Sequence, residues 1–457
     1  MPDIIVIGAG PGGTAAATRA AQLGAQVTLI ERAELGGNCV NRNCIPLLSM
    51  LSTIELLARL QRAEDFGITV GPAKIDPAKV VARARQISAD LREGLAALLP
   101  TFGIELVEGQ AKLTGPKTVE VNGQQLQAQK AVILATGASW ATPPAGIEPA
   151  ALWWPHEAMT LEPIPERLLI WGGGAVELEF ATLYRYLGSQ VTVVIDGPHP
   201  LPGEDYEVGQ RLQGSLSEQG IEIVTNASLK SAIQAADGVK AVIATRRGET
   251  ELTAQKLLCA GRTPNSAGLG LEAIGLKLKD GGVEVDERQQ TRLAGLFALG
   301  DLTGPPYYSS VATVEGLVAA ENAMGRARSL NRSLIPRHAF TIPEVGCVGL
   351  TEEQAEDAGY DVEVINIALD TSSRAVALGE TDGGVKIVAN KKQGKILGVH
   401  IVGHRATELV AEAALAIQLE ALAEDWAWSM RIHPTLSETM QETGRAVLGQ
   451  ALYIPQI

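Results

Sequence analysis

The sequence predicts an α/β fold with two Rossmann-like dinucleotide-binding domains and a third, C-terminal α+β domain. Three observations carry this prediction. A short apolar strand near the N-terminus runs into a glycine-rich turn and a helix, the same arrangement recurs 164 residues later, and the pattern changes again from about residue 336. A length of 457 residues agrees with about three domains.

The first unit occupies the first 31 residues. Ile4–Ile7 has the continuous apolar character of a buried parallel strand, and Gly8, Gly10 and Gly13 follow it with the spacing G-x-G-x-x-G. An alanine-rich helix and a second strand come next, and that strand ends on Glu31. Such glycines let a pyrophosphate approach the helix N-terminus, and the acid can accept hydrogen bonds from a ribose diol. The unit predicts dinucleotide binding; the alternative is a glycine turn that only packs helix on strand.

The second unit repeats the first. Residues 168–171 repeat the strand, Gly172 repeats Gly8, and residues 187–192 repeat residues 23–28 without a gap. Two dinucleotide folds in one chain follow from this internal match.

Other segments have weaker signals. Residues 46–60 have a helical pattern, and a second helix is expected to start with Asp76 as its cap and Pro77 in its first turn, and to stop at Pro100. Residues 138 to about 165, rich in Pro and Trp, are expected to be a linker. We expect the first domain to comprise residues 1–145 and 267–334, the second residues 146–266, and the third residues 335–457.

Composition excludes several classes of partner. The chain is 46% hydrophobic, with a mean hydropathy of +0.10, which predicts a large buried core. Its net charge of −14 argues against nucleic acid and anionic membrane surfaces as partners. We expect no membrane span and no signal peptide, and therefore a cytoplasmic protein. Four cysteines in so long a chain do not make a disulfide-stapled scaffold.

Two of the cysteines, Cys39 and Cys44, lie close together just after the first unit. Four intervening residues allow the sulfurs to meet, because a disulfide needs Cα atoms within roughly 7 Å. One thiol can then exchange electrons with a flavin while the other exchanges with substrate. Two unrelated buried cysteines are the alternative; a metal pair is also conceivable, but no second Cys/His pair has ligand spacing, and we expect no metal. Cys259 and Cys347 are expected to be single core thiols.

A histidine near the C-terminus is a candidate for proton transfer. Glu438 follows His433 by five residues and can orient its ring and make it more basic. Alone, such a histidine is more often structural than catalytic.

Taken together, these residues resemble the pyridine nucleotide–disulfide oxidoreductases of class I, and within them the dihydrolipoamide dehydrogenase type, over essentially the whole chain. The resemblance implies an obligate homodimer whose third domain is the dimerisation domain. It also implies that Cys44 is the flavin-proximal sulfur, that Cys39 is the interchange sulfur, and that His433 and Glu438 serve the active site of the partner subunit.

The resemblance further implies FAD in the first domain and NAD(P) in the second. The expected FAD-binding residues are Gly8, Gly10, Pro11, Gly12, Gly13, Glu31, Arg32, Gly37, Ala111, Thr136, Gly137, Gly300, Asp301 and Ala312. The expected residues on the nicotinamide side are Gly172, Gly174, Glu177, Glu179 and Gly261.

The sequence departs from the family on that second side. Glu177 stands at the position of Gly13, and Ile195 at the position of Glu31. A side chain at 177 takes space and its carboxylate repels phosphate, while Ile195 removes the acceptor for the ribose. Asp196 could substitute for it, one residue later.

A third departure lies beside the expected flavin. The family usually has Ser-Lys after Cys-Ile-Pro, where this chain has Leu47 and Leu48. The glutamate that normally pairs with that lysine is present as Glu179, so we expect it to be protonated more easily.

The expected function is a lipoamide-type FAD-dependent disulfide oxidoreductase. Electrons would pass between a dithiol such as dihydrolipoamide or a lipoyl protein, the cysteine pair, FAD and NAD(P). One alternative keeps the flavin and the disulfide but uses a carrier other than nicotinamide. A second alternative is a non-catalytic FAD-bound scaffold or sensor.

Overall fold

The computed structural model describes residues 1–454. Its first part builds a sheet, two long helices and a small antiparallel layer. The elements are β1 (Ile4–Ile7), α1 (Pro11–Gln22), β2 (Val27–Glu31), α2 (Gly37–Arg42), α3 (Cys44–Gln61), α4 (Pro77–Leu98), β3 (Glu105–Glu108), β4 (Ala111–Gly115), β5 (Thr118–Val121), β6 (Gln124–Gln127), β7 (Ala131–Leu134) and β8 (Ala138–Trp140).

The middle of the chain builds a second parallel sheet and a three-stranded antiparallel layer. Its elements are β9 (Leu152–Trp153), α5 (Pro155–Ala158), β10 (Arg167–Trp171), α6 (Ala175–Tyr186), β11 (Gln190–Val194), α7 (Tyr206–Glu218), β12 (Ile221–Val224), β13 (Ser228–Ala235), β14 (Gly238–Thr245), β15 (Gly248–Ala254), β16 (Lys256–Cys259) and β17 (Arg262–Pro264).

The chain then returns to the first sheet before entering the C-terminal part. The elements are β18 (Leu278–Lys279), β19 (Gly282–Val283), β20 (Leu296–Ala298), α8 (Ser309–Ala323), β21 (Arg337–Ala339), β22 (Glu344–Gly349), α9 (Glu352–Asp357), β23 (Val362–Ala368), α10 (Ser373–Leu378), β24 (Gly384–Asn390), β25 (Ile396–Gly403), α11 (Ala406–Gln418), α12 (Ala423–Trp428) and α13 (Ser437–Val447).

Three five-stranded sheets organise these elements. The first has the order β20-β7-β1-β2-β3 and the second the order β12-β11-β10-β16-β9, and both are parallel. The third, with the order β21-β22-β25-β24-β23, is antiparallel. The predicted fold class, two Rossmann-like units and a C-terminal α+β part, is confirmed.

The internal repeat is visible in the backbone. Gly8 N–H donates to Ile30 O at 2.8 Å, and Gly172 N–H donates to Val194 O at 2.9 Å. Helices α1 and α6 both have 12 residues and both follow a glycine with extended backbone. In α1 the turn places Pro11 in the first helical turn, where its missing N–H costs nothing, and the buried face is alanine, so the helix packs close to the sheet.

The predicted helices at residues 46–60 and from Pro77 are present as α3 and α4, and Asp76 caps α4 by accepting from Lys79 N–H. The expected plain linker between residues 138 and 165 is wrong in part. Its start, β8, pairs antiparallel with β17, and its middle, β9, adds an edge strand to the second sheet. Two-residue strands leave no periodicity in a sequence, so nothing local predicts β9.

The helical stretch Gly37–Gln61 is long and apolar enough to cross a membrane by length and composition alone. In that window 44% of the residues are buried inside the protein. Leu47, Met50 and Ile54 from α3 belong to a core cluster that also contains Phe180 of α6 and Cys347 of β22. This stretch therefore behaves as a core helix that joins the three parts of the fold.

Candidate active site

A cavity of about 640 Å³ lies at the carboxyl ends of the strands of the first sheet. Parallel α/β sheets bind ligands at this edge. All fourteen residues expected to bind FAD line this cavity: Gly8, Gly10, Pro11, Gly12, Gly13, Glu31, Arg32, Gly37, Ala111, Thr136, Gly137, Gly300, Asp301 and Ala312. The structure thus brings together residues that the sequence scatters over three hundred positions.

The glycine turn at the cavity is built for close approach. A Cβ on Gly13 would lie 1.8 Å from Gly8 O, so only glycine lets α1 sit against the turn. Gly8 has a φ of +102°, a conformation that other residues rarely adopt. The N–H groups at the start of α1 can then face a pyrophosphate.

Glu31 holds this turn in shape. Its Oε2 accepts from Ala9 N–H at 2.7 Å and its Oε1 from Ala33 N–H at 2.9 Å. A carboxylate has about four acceptor positions, so capacity remains for a ribose hydroxyl. The turn, the helix end and the acid fit the adenosine and pyrophosphate portions of FAD.

Cys39 and Cys44 both line the same cavity. Cys39 lies within α2, and Asn43, with φ −151° and ψ −92°, breaks the helix so that Cys44 starts α3. The two thiols are hydrogen-bonded to each other. Cys44 Sγ also lies 3.4 Å from Ser309 Oγ at the start of α8.

These contacts make the two thiols unequal. The hydrogen bond from Cys39 lowers the pKa of Cys44 to about 6; Ser309 and the charge of Arg262 add to this, and together they outweigh burial. The same hydrogen bond, helped by burial, raises the pKa of Cys39. Cys44 is therefore the thiolate of the pair at neutral pH.

Cys44 is enclosed by protein yet retains an exposed surface. Cys44 can be both enclosed and exposed because its exposed surface lies inside the cavity and not on the outside of the protein. A molecule that fills the cavity therefore meets Cys44 directly.

The cavity lining also contains groups that the sequence did not indicate or placed elsewhere. Arg262 Nη1 pairs with Asp301 Oδ2 at 2.9 Å, and its guanidinium carbon lies 5.4 Å from the centre of the Trp140 ring. Gly261 was expected on the nicotinamide side, but its close neighbours Arg262, Pro264 and Asn265 line the first cavity. Other lining residues without any sequence signal are Asn38, His156, Tyr307 and Ser309.

The second glycine turn differs from the first. Gly172 has a φ of +119°, as expected, but the Glu177 side chain folds back against Gly172 and Gly174. Its Oε2 lies 2.8 Å from the position that a Cβ on Gly174 would take. Gly261, also expected on this side, lies beside Cys259 and Ala141.

Glu179 is buried in α6, and its Oε1 accepts from Phe340 N–H at 3.0 Å. Within residues 1–454 no lysine or arginine forms an ion pair with it. Burial raises its pKa to about 8, and the nearby Cys44 and Glu177 add to the rise. The expected easier protonation agrees with this environment.

His433 and Glu438 form a pair at the start of α13. His433 Nδ1 lies 3.0 Å from Glu438 Oε1, and the His433 side chain is 73% exposed. Burial opposes the charge on Glu438, but Thr435 N–H and His433 outweigh it and hold the pKa of Glu438 below its ordinary value. Neither residue of the pair lines the cavity of its own chain.

Cys347 is not an isolated core thiol. Its sulfur lies within 4.8 Å of ligand atoms of Glu204 and His400, donor types that metals use. Arg337 already pairs with Glu204 at 2.7 Å. These contacts tie the second sheet's domain to the antiparallel sheet, and we assign them a structural role.

A single cavity lined by a dinucleotide turn and by an unequal pair of cysteines defines a flavin-dependent disulfide oxidoreductase. The family model for pyridine nucleotide-disulphide oxidoreductases matches residues 2–327, and the model for the dimerisation domain of that family matches residues 335–443. The chain belongs to this family.

Curated relatives extend over nearly the whole chain. A dihydrolipoyl dehydrogenase of Thermus scotoductus is 40% identical, with 99% of this chain and 98% of the relative covered. A dihydrolipoyl dehydrogenase of Geobacillus stearothermophilus is 36% identical, with 99% and 97% covered.

Solved structures share the fold. LpdA of Mycobacterium tuberculosis has a TM-score of 0.89 at 28% identity, covering 97% of this chain and 99% of that one. The HOCl-induced flavoprotein disulfide reductase RclA of Escherichia coli has a TM-score of 0.84 at 25% identity, covering 96% and 98%.

FAD and NAD(P) are the cofactors of this family. The first cavity fits FAD, by its glycine turn, by Glu31 and by the position of Cys44. The second turn, in the conformation observed, does not fit a nucleotide pyrophosphate, because the Glu177 carboxyl group lies against its glycines. The hypothesis of a carrier other than nicotinamide finds no support among the relatives, and neither does a non-catalytic scaffold.

Proposed function

We propose that this enzyme oxidises a dihydrolipoyl group, free or attached to a protein, to the cyclic disulfide. The observation that carries the proposal is the pair Cys39 and Cys44 on the wall of the cavity that fits FAD, with the thiolate on Cys44. Relatives named dihydrolipoyl dehydrogenase support the choice of substrate.

The proposed reaction begins with a Cys39–Cys44 disulfide. A substrate thiolate attacks Cys39 Sγ, the bond between the two cysteines breaks, and Cys44 leaves as a thiolate. The second substrate thiol loses its proton and attacks the substrate sulfur bonded to Cys39, which releases Cys39. The substrate has then lost two electrons and the cysteine pair has gained them.

The low pKa of Cys44 explains the direction of attack. A leaving thiol with a lower pKa leaves faster, and Cys44 is held as a thiolate by Cys39, Ser309 and Arg262. Cys39, with its raised pKa, is the better partner for a mixed disulfide that must later reopen. FAD, when bound, supplies the two-electron acceptor beside Cys44.

The proton of the second substrate thiol needs a base. We assign this role to His433 of the second subunit, whose Nδ1 is held by Glu438 at 3.0 Å, which leaves Nε2 to accept the proton. The exposure of His433 and its absence from the lining of its own chain's cavity support an active site shared between two subunits. The working form is therefore a homodimer.

We propose a cytoplasmic location, since disulfides of cytosolic proteins are usually transient and catalytic, as proposed here for Cys39 and Cys44.

The test replaces one sulfur. Cys44→Ser should lower turnover with dihydrolipoamide by about a thousandfold or more, because a serine cannot form the disulfide. Turnover is followed with ferricyanide as the electron acceptor, so that the second glycine turn is not used. Cys259→Ser is then the matched control, since that thiol lies outside the cavity and should leave turnover near wild type. Full turnover in Cys44→Ser would end the proposal.

A further inference from the structure

The two glycine turns of this chain can be compared residue by residue. Glu177 takes the position of Gly13, where a Cβ would lie 1.8 Å from Gly8 O. Because Glu177 has a Cβ, α6 cannot approach the carbonyl of Gly172 as α1 approaches that of Gly8. The second turn is therefore more open between helix and strand.

The Glu177 side chain fills the space between helix α6 and the second glycine turn. Its Oε1 lies 3.1 Å from the position of a Cβ on Gly172, and its Oε2 lies 2.8 Å from that on Gly174. The N–H groups of Glu177 and Ala260 and the guanidinium of Arg262 stabilise its charge. Burial opposes that charge, but the carboxyl group lies where the glycine backbone of such a turn meets a pyrophosphate.

The ribose side of the turn is altered as well. Ile195 takes the position of Glu31 and is buried against the turn, its side chain 2.9 Å from the position of a Cβ on Gly173. In the first unit Glu31 instead accepts from Ala9 N–H. An apolar group therefore replaces the acceptor, and the recognition of the nucleotide depends more heavily on the pyrophosphate.

We propose that the Glu177 carboxylate is an internal competitor for the nucleotide pyrophosphate, so that NAD(P) binds only when this side chain is displaced or neutralised. The inference rests on the proposed function, because it concerns the electron acceptor of the same enzyme. Its consequence is nicotinamide affinity that rises as the pH falls.

The charged groups around Glu177 determine whether nicotinamide affinity rises or falls with pH. Arg262 of β17 is the cation that faces it, and Arg262 is already paired with Asp301. Glu179 of the same helix and Cys259 of β16 also face it and carry no positive charge. Burial raises the pKa of Glu177 above its ordinary value, so the competing charge is removed at a higher pH than for an exposed glutamate.

The experiment measures binding of NAD⁺ and of ADP-ribose to the oxidised holoenzyme by calorimetry between about pH 6 and about pH 8. In the oxidised form Cys44 is in the disulfide and does not titrate. Wild-type affinity should rise as the pH falls. Glu177→Gln, which keeps the size, and Glu177→Gly, which restores the first-unit residue, should each bind at least roughly tenfold more tightly near pH 8.

Glu218→Gln is the matched control, an exposed glutamate on α7 of the same domain, and should match wild type at every pH. If Glu177→Gln binds no more tightly than wild type near pH 8, or wild-type affinity does not change with pH, the inference is overturned. Reduction of the wild-type flavin by dihydrolipoamide, with ferricyanide as acceptor, needs no nucleotide. Loss of that reaction would refute the proposed function instead.

Discussion

At the residue scale the site depends on a difference between two neighbouring thiols. Cys39 and Cys44 are the same chemical group, yet one has a raised pKa and the other a pKa lowered to about 6. The hydrogen bond between them is the largest cause of both shifts. Donation to a thiolate is a charge-assisted bond, which contributes about 1.5–3 kcal/mol.

Removing the donor should therefore raise the pKa of Cys44. Cys39→Ala removes it, whereas Cys39→Ser keeps a hydroxyl in its place. We expect the pKa of Cys44 to rise by about one to two units in Cys39→Ala relative to Cys39→Ser. A thiol reacts with iodoacetamide as the thiolate, so reactivity is lost as the pH falls through the pKa.

The measurement is the rate of alkylation of the peptide containing Cys44 against pH, in the FAD-loaded variants. Equal midpoints in the two variants would show that Ser309 and Arg262, and not Cys39, hold the thiolate.

At this scale the sequence suggests a role only where a residue and its near neighbours form a pattern. The glycines, Glu31 and the two cysteines each belong to a local pattern. Arg262 and Ser309 act on Cys44 from more than two hundred positions away, and no pattern in their own segments indicates it. Such contacts depend on how the chain folds back, and a single sequence does not contain that information.

At the element scale the cavity depends on how closely helices pack. Helix α8 crosses α1 at Gly316, where a Cβ would lie 2.3 Å from Gly12 O and 3.1 Å from Ala16 N. Gly12 belongs to the turn that lines the cavity. The distance between α1 and α8 therefore determines the shape of the glycine turn.

Gly316→Ala should push the two helices apart. We expect a loss of about 1–3 kcal/mol in the free energy of unfolding, with weaker retention of FAD, because overpacking displaces the backbone of the turn. Gly214→Ala on α7 is the control, since a Cβ there has open space and alanine favours the helix by up to about 1 kcal/mol. Denaturant titration and released flavin measure both effects; equal stability of the two variants would contradict the argument.

Elements with a strong period were predicted correctly, and short ones were not. α1, α3 and α4 follow from their apolar spacing and caps. β8 and β9 exist because a distant strand offers them partners, β17 for one and β16 for the other. A strand of two or three residues gains its stability from those partners, so its own sequence does not define it.

At the scale of the whole molecule the proposed site requires a second chain. Met430 and Ile432, 99% and 79% exposed, lie just before His433 on the same segment as Trp428. Clustered exposed apolar side chains on a folded chain indicate a surface that a second chain covers. This segment lies within residues 335–443, which match the dimerisation domain.

Complementation between two inactive chains tests the shared site. In a heterodimer of Cys44→Ser and His433→Gln, one site combines intact cysteines from one subunit with His433 from the other, and the second site lacks both. The purified heterodimer, isolated by co-expression with two different tags, should show about half of the wild-type turnover with dihydrolipoamide, since one of two equivalent sites works. Each parental homodimer should be nearly inactive. If His433 served its own chain, both sites of the heterodimer would lack a component, so turnover as low as that of the parents would exclude the shared arrangement.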